Sequence, residues 1–168
     1  MSTPRDYELI ERPARDLVAY LTSQAAVDKL AEVAARYTGE QALSLPLWTV
    51  EVDDPRQTVH LPHLYIVPSR TKELGDGLFS GARLELQHEF EFAVLASSPE
   101  PQGAKWLTMR YLVALTELLC EMRDDAAYAY MNWGVGGPTD FYYQPTYSTQ
   151  SSQLVGDARL ITWVEVHE

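Results

Sequence analysis

From residue 84 to 94 the side chains alternate. Leu84, Leu86, Phe90, Phe92 and Val94 point one way; Arg83, Glu85, Gln87, Glu89 and Glu91 point the other. Period two over this length is the pattern of a strand with one face on a core and one in water. His88 is the single polar side chain on the apolar side. Trp48, Val50 and Val52 alternate with Thr49, Glu51 and Asp53 in a second half-buried strand, which Asp54 and Pro55 end. Leu64 to Val67 reads as a short apolar strand bounded by Pro62 and Pro68. Two further strands close the chain, about 139–148 and 157–167. In the last, Ala158, Leu160, Val164 and Val166 alternate with Arg159 and Glu165.

Two stretches have helical spacing instead. Leu17, Val18 and Leu21 share a face, and Val27, Leu30, Ala34 and Tyr37 continue it, which predicts helix from about 13 to 37. Pro13 fits a first turn, where its missing N–H costs nothing. Thr22, Ser23 and Gln24 offer a break with Ser23 as cap, and Gly39 is placed to end the helix. The second helix is predicted over 104–123. Leu107, Tyr111, Ala114, Leu118 and Met122 fall on one face, and Trp106, Val113 and Leu119 widen it. Arg110, Glu117, Glu121 and Asp124 mark the wet side. A stripe this wide is that of a helix packed on a sheet.

The order is α-β-β-β-α-β-β. Consecutive strands joined by turns favour antiparallel pairing. The expected fold is a single α+β domain over 1–168: a mostly antiparallel sheet of about four or five strands with two main helices packed on it. Residues 1–12 are expected to be a loose arm, 70–82 a mobile glycine-rich arm and 124–138 an insertion-like loop. The expected core is Leu17, Leu21, Trp48, Val50, Leu86, Phe90, Phe92, Leu107, Tyr111, Leu118, Leu160 and Val164.

Composition narrows the function. The 168 residues are 46% apolar and 22% charged, a globular balance. Thirteen basic against 24 acidic residues leave a net charge of −11, the wrong sign for gripping phosphates or an anionic membrane. No apolar run is long enough to span a bilayer, and the charged start lacks a signal-like apolar core. The single cysteine, Cys120, excludes an internal disulfide framework and a multi-cysteine metal site. A soluble protein of a reducing cytosol is the simplest expectation.

No motif for chemistry emerges. Gly134, Gly136 and Gly137 precede Pro138 and an aromatic strand, not a helix opening under a phosphate. His60 and His63 are three apart, but Pro62 argues against a shared helix face and no third ligand stands at a motif spacing. Cys120 lies toward the end of its helix, where the dipole raises a thiol pKa, so it reads as structural. Ser80 lacks the nucleophile-elbow glycines. His88 could serve as a general base, but a core or interface histidine with one hydrogen-bond partner fits better. The expectation is no enzyme, no cofactor and no metal. What stands out is surface: Leu74, Leu78 and Phe79 in the glycine-rich arm want a partner to cover them.

The arrangement resembles the tail terminator proteins of long-tailed bacteriophages, and more broadly the tail-completion and head–tail joining family. The matching parts are the helix from Ala14 to Leu21, the strands Trp48 to Val52 and His63 to Val67, and the long strand Leu84 to Val94. The helix Trp106 to Met122 and the closing pair Phe141 to Tyr147 and Ala158 to Val166 complete it. This is a pattern of elements over about 13–167, not a set of signature residues. The resemblance implies a virion subunit, assembled in the host cytoplasm, that forms a homohexameric ring. The ring would cap the major tail tube protein and meet the head-closure or connector protein, with DNA passing through unbound. In such a ring the arm residues Leu74, Leu78 and Phe79 are expected to order on a neighbour. Glu85, Glu89 and Glu91 are expected to border the channel, since carboxylates repel a passing duplex where lysines would hold it. Other readings are a head-closure or other neck adaptor, a small cytosolic enzyme using His88 or His60 and His63, and an acidic adaptor for a basic partner.

Overall fold

The computed structural model describes residues 4–39, 42–52, 60–74, 85–98, 101–133, 140–146 and 154–167. The chain runs α1 (Pro4–Leu21), α2 (Gln24–Ala35), β1 (Thr49–Glu51), β2 (His63–Leu74), β3 (Glu85–Ser98) and α3 (Pro101–Asp124). A single 3-10 turn (Ala126–Tyr128) then leads to β4 (Met131–Trp133), β5 (Asp140–Thr146) and β6 (Leu154–His167).

The long alternating segment becomes the middle of the sheet. β3 pairs β2 on one edge and β6 on the other, the latter from Glu85 opposite His167 to Ser98 opposite Leu154. The six-stranded sheet runs β1-β2-β3-β6-β4, and β5 also pairs β6. The outer edge of β6 is thus divided: β5 takes 155–161 and β4 takes 164–166. Only β1 with β2 is parallel; the other pairings are antiparallel. The fold is α+β with a mostly antiparallel sheet, as the sequence predicts.

One face of this sheet carries the core. Leu86, His88, Phe90, Phe92, Val94 and Ala96 on β3 are all buried, as are Ala158, Leu160, Thr162, Val164 and Val166 opposite them on β6. α3 packs on both strands and α2 packs on α3. The Trp48 indole N–H donates to the Leu21 carbonyl at 2.8 Å, and the Tyr111 hydroxyl donates to the Pro46 carbonyl at 2.8 Å. Both large rings thus enter the core with their polar ends satisfied. Burial pushes the Tyr111 hydroxyl pKa up. Where α3 begins, it lies close on β6: a Cβ on Gly156 would sit 2.9 Å from Thr108 Cγ2 and 3.1 Å from the Ala104 carbonyl. Of the expected core, Val50 and Leu107 are half-buried and the rest buried.

Several expectations need correction. α1 begins at Pro4, so 4–12 is helical and not a loose arm. The apolar spacing Ile10, Pro13, Leu17, Leu21 runs back past Pro13, which sits inside the helix at the cost of one backbone hydrogen bond. The chain does break at Ser23, but its hydroxyl donates back to the Tyr20 carbonyl at 2.6 Å and makes no cap bond. Arg70–Leu74, placed in the mobile arm, is strand, while 75–82 lies outside the described residues. The insertion-like loop holds the 3-10 turn and β4, with Met131 and Trp133 buried; residues 134–138 lie outside the described residues. Tyr130 ties this segment to α1, donating to Asp16 Oδ2 at 2.6 Å under the Arg12 guanidinium.

The polar side of α3 does not simply face water. Arg110 is 4% exposed and its guanidinium covers the Tyr37 ring at 3.7 Å. Glu117 accepts from Arg36 at 2.6 and 2.8 Å, and Glu121 pairs with Lys29 at 2.7 Å. These charges are the seam between α3 and α2.

Two predictions follow from this packing. Phe90→Ala removes a ring that is 1% exposed and should cost about 3–5 kcal/mol in urea unfolding. Unchanged stability would mean that the strand faces are reversed. Hydrogen bonds from Arg36, and from Lys29 with Arg36, hold Glu117 and Glu32 below the usual carboxyl value of 4.5. A carboxyl whose pKa is lower folded than unfolded stabilises the fold above the unfolded value and loses that as pH falls through the folded one. Tm should therefore fall below pH 4.5, and Glu117→Gln should make that fall shallower. Because the pairs are exposed, the substitution should move Tm at pH 7 by no more than about 4 °C. Equal acid slopes for both proteins would show that the seam charges contribute nothing.

Candidate functional site

The faces of β3 carry different chemistry. On the helix side, a cleft of about 520 Å³ lies between α1 and the strands, with His88, Phe90 and Pro68 in its floor and Arg15 and Glu11 among its lining residues. His88 is 2% exposed, and its Nδ1 lies 3.0 Å from the Thr71 hydroxyl. A bulge makes this pair. Up to Pro68 opposite Phe90 the ladder is regular; then Arg70 stands opposite Glu89 and Thr71 opposite His88. Ser69 is the extra residue. Were Ser69 paired regularly opposite Glu89 instead, period two would bring Arg70 to the core side beside His88. The bulge keeps that cation out and supplies a hydroxyl. Pro68, which cannot donate to a ladder, sits at the irregularity. The hydroxyl gives the buried imidazole a partner, as expected for a core histidine.

The opposite face belongs to the odd-numbered positions of β3. Among the described residues no helix packs on it. Glu89 and Glu91 lie there, half-buried, beside Ile161 and Trp163 of β6. Glu85 starts the strand on the same face, and its side chain lies outside the described residues. The carboxylates are not a bare acidic row. The Ser69 hydroxyl donates to Glu89 Oε1 at 2.6 Å. Arg159 bonds Glu91 and also reaches Asp157 through Nε and Nη2, both at 3.1 Å. Burial works against the Arg159 charge, but hydrogen bonds to the two carboxylates outweigh it and hold its pKa above the ordinary value. One guanidinium shared by two acids leaves this part of the face one negative charge, not two.

The remaining candidates stand apart. His60 is exposed; His63 is 3% exposed, stacked on Tyr65 with ring centroids 4.3 Å apart. His63 Nε2 lies 3.4 Å from Glu51 Oε2 but outside hydrogen-bond geometry, so neither ring nitrogen is bonded. Among the described residues no three His, Cys, Asp or Glu side chains converge on a possible metal position. Cys120 is free and half-buried. Of the expected interface residues, Leu74 ends β2 opposite Glu85, while Leu78 and Phe79 lie outside the described residues. The sequence reading passed over the Asp157–Arg159–Glu91 bridge. Its signal was the two-residue spacing of Asp157 and Arg159, which puts both on one strand face. The partner on β3 follows only from the register.

Arg159→Gln should cost about 1–3 kcal/mol in urea unfolding, because it leaves Asp157, 6% exposed, beside Glu91 without a cation. Adding Glu91→Gln and Asp157→Asn should return part of that loss. A double or triple variant no more stable than Arg159→Gln would show that repulsion between the acids is not the cause. Neither the protein-family models nor the curated proteins searched contain a match to this sequence.

Proposed function

We propose that this chain is a structural subunit of the neck of a long-tailed bacteriophage, a tail terminator that closes the tail tube as a ring and meets the head connector. The observation that carries the reading is a half-exposed patch on the sheet face away from the helices. Helices pack on one face through β1, β3, β4 and β6; on the other, Tyr65, Ala93 and Asp157 are buried, while Ile161 and Trp163 stay half-exposed among carboxylates. A lone subunit gains little from such a face; a subunit of an assembly uses it against a neighbour or a channel. The order of elements supports the same reading: helix, strands, long central strand, helix, closing strands. An acidic chain of net charge −11 suits a passage that DNA crosses without being held. Among the described residues no helix is long and apolar enough to cross a membrane. On this reading the partners are further copies of the chain, the major tail tube protein and the head-closure or connector protein.

Negative-stain microscopy of the protein mixed with purified tail tubes tests the reading. Six-fold rings at tube ends, and arrest of tube growth, are expected. A protein that neither forms rings nor binds tube ends, yet binds the portal–connector assembly, would be a head-closure adaptor. Binding to neither would overturn the neck assignment.

A further inference from the structure

Three local departures from the pattern of the fold meet in the cleft beside His88. On β3, an imidazole stands at the one polar position in the buried row from Leu86 to Ala96. On β2, the bulge sets Thr71 opposite it. On α1, the face that lines the cleft carries Ala14, Val18 and Ala19, where larger side chains would fill the space. Glu11 and Arg15 belong to the same face, since 11, 14, 15, 18 and 19 recur at helical spacing. Val52, just past β1, also lines the cleft and is 44% exposed. The result is about 520 Å³ of largely apolar space, inside the range of sites for small organic molecules. Breaks in an otherwise consistent pattern are the places where a fold gives way to function.

The rim of the cleft supplies a charge. Arg12, Lys29, Arg36, Arg123 and Arg159 each lie beside a carboxylate. Arg15 is exposed, and among the described residues no carboxylate pairs with it. Its forked guanidinium fits a carboxylate. Glu11, exposed one turn earlier on the same rim, offers the opposite sign. A cationic amphiphile, however, would be shared among the many acids of a chain of net charge −11. An anionic one is repelled by most of the surface and gains only where a cation and apolar walls coincide.

We propose that this cleft binds a small apolar carboxylic acid, its hydrocarbon part lying on Val18, Val52 and Pro68 and its carboxylate on the Arg15 guanidinium. The Thr71 hydroxyl adds a hydrogen bond to the same head group when His88 Nδ1–H donates to its oxygen, because a hydroxyl both accepts and donates. Hydrocarbon taken out of water drives the binding, and the cation fixes which end of the molecule sits at the rim. The site needs one copy of the chain, so it stands or falls independently of the neck assignment.

The test is amide NMR of the full chain titrated with sodium octanoate, and in parallel with octanol and octylammonium chloride. Octanoate should saturate a single site and shift the signals of residues 14–19 and 68–71. Arg15→Gln should weaken octanoate about three- to tenfold, the range left to a solvent-exposed charged hydrogen bond, and leave octanol unchanged. Glu11→Gln should leave octanoate bound as tightly or more tightly. Ala19→Trp, at an exposed rim position, should keep the urea midpoint and weaken both octanoate and octanol at least about tenfold by blocking the cleft. If Ala19→Trp unfolds, Arg15→Gln and the shifted signals decide alone. No saturation by about 10 mM octanoate would overturn the site. So would tighter binding of octylammonium than of octanoate, equal octanoate affinity in Arg15→Gln and the parent chain, or shifts centred elsewhere on the molecule.

Discussion

β3 has a partner strand along both edges and an apolar or imidazole side chain at every second described position from Leu86 to Ala96. Those two facts set the positions of the other elements. Pairing on both sides satisfies its backbone in the middle of the fold, where water cannot reach. The alternation then commits one face to the core, because a one-residue slip against either neighbour would exchange the faces. β6 answers in register, with Leu160 opposite Phe92 and Val164 opposite His88. α3 can lie closely over this pair because Ala96, Gly156 and Ala158 are small where it begins. The connection that carries Trp48 and the loop before it is fastened to the helices through Leu21 and Tyr111.

The strand-and-helix order was legible because the signals are long: twelve alternating residues in β3, five turns of helix in α3. Short elements were not. β4 has three residues, and only the buried Met131 and Trp133 reveal it, through a pairing with β6 that no local pattern announces. The extension of β2 past Pro68 was hidden for a different reason. Proline normally ends a strand, and here a bulge absorbs it. The cleft beside His88 and the Arg159 bridge depend on register between distant segments, which a single sequence carries only implicitly. Leu78 and Phe79 lie outside the described residues, and the structure adds nothing about them.

α3 shows how charge can mislead. Arg110, Glu117 and Glu121 share a stripe, and a charged stripe usually faces water. Here it faces α2, where Lys29, Glu32 and Arg36 supply the opposite charges and Tyr37 supplies a ring for Arg110. The amphipathic rule fails because α2 packs along this side of α3 and meets it through ion pairs. The remaining side of α3 leaves Trp106, Met109 and Val113 exposed.

The extra residue in β2 has a bearing on which length changes the gene could tolerate. With Ser69 removed, Pro68 would be followed directly by Arg70 and Thr71, and a regular ladder would still put arginine outward and threonine toward His88. The strand therefore carries one residue more than its pairing needs, and among the described residues no strand pairs its outer edge past β1, which gives that residue somewhere to go. β3 has no such freedom, since an added residue there would have to bulge against two partners at once. Insertions and deletions should thus be borne at the edge strand, while the central strand can vary in composition but not in length.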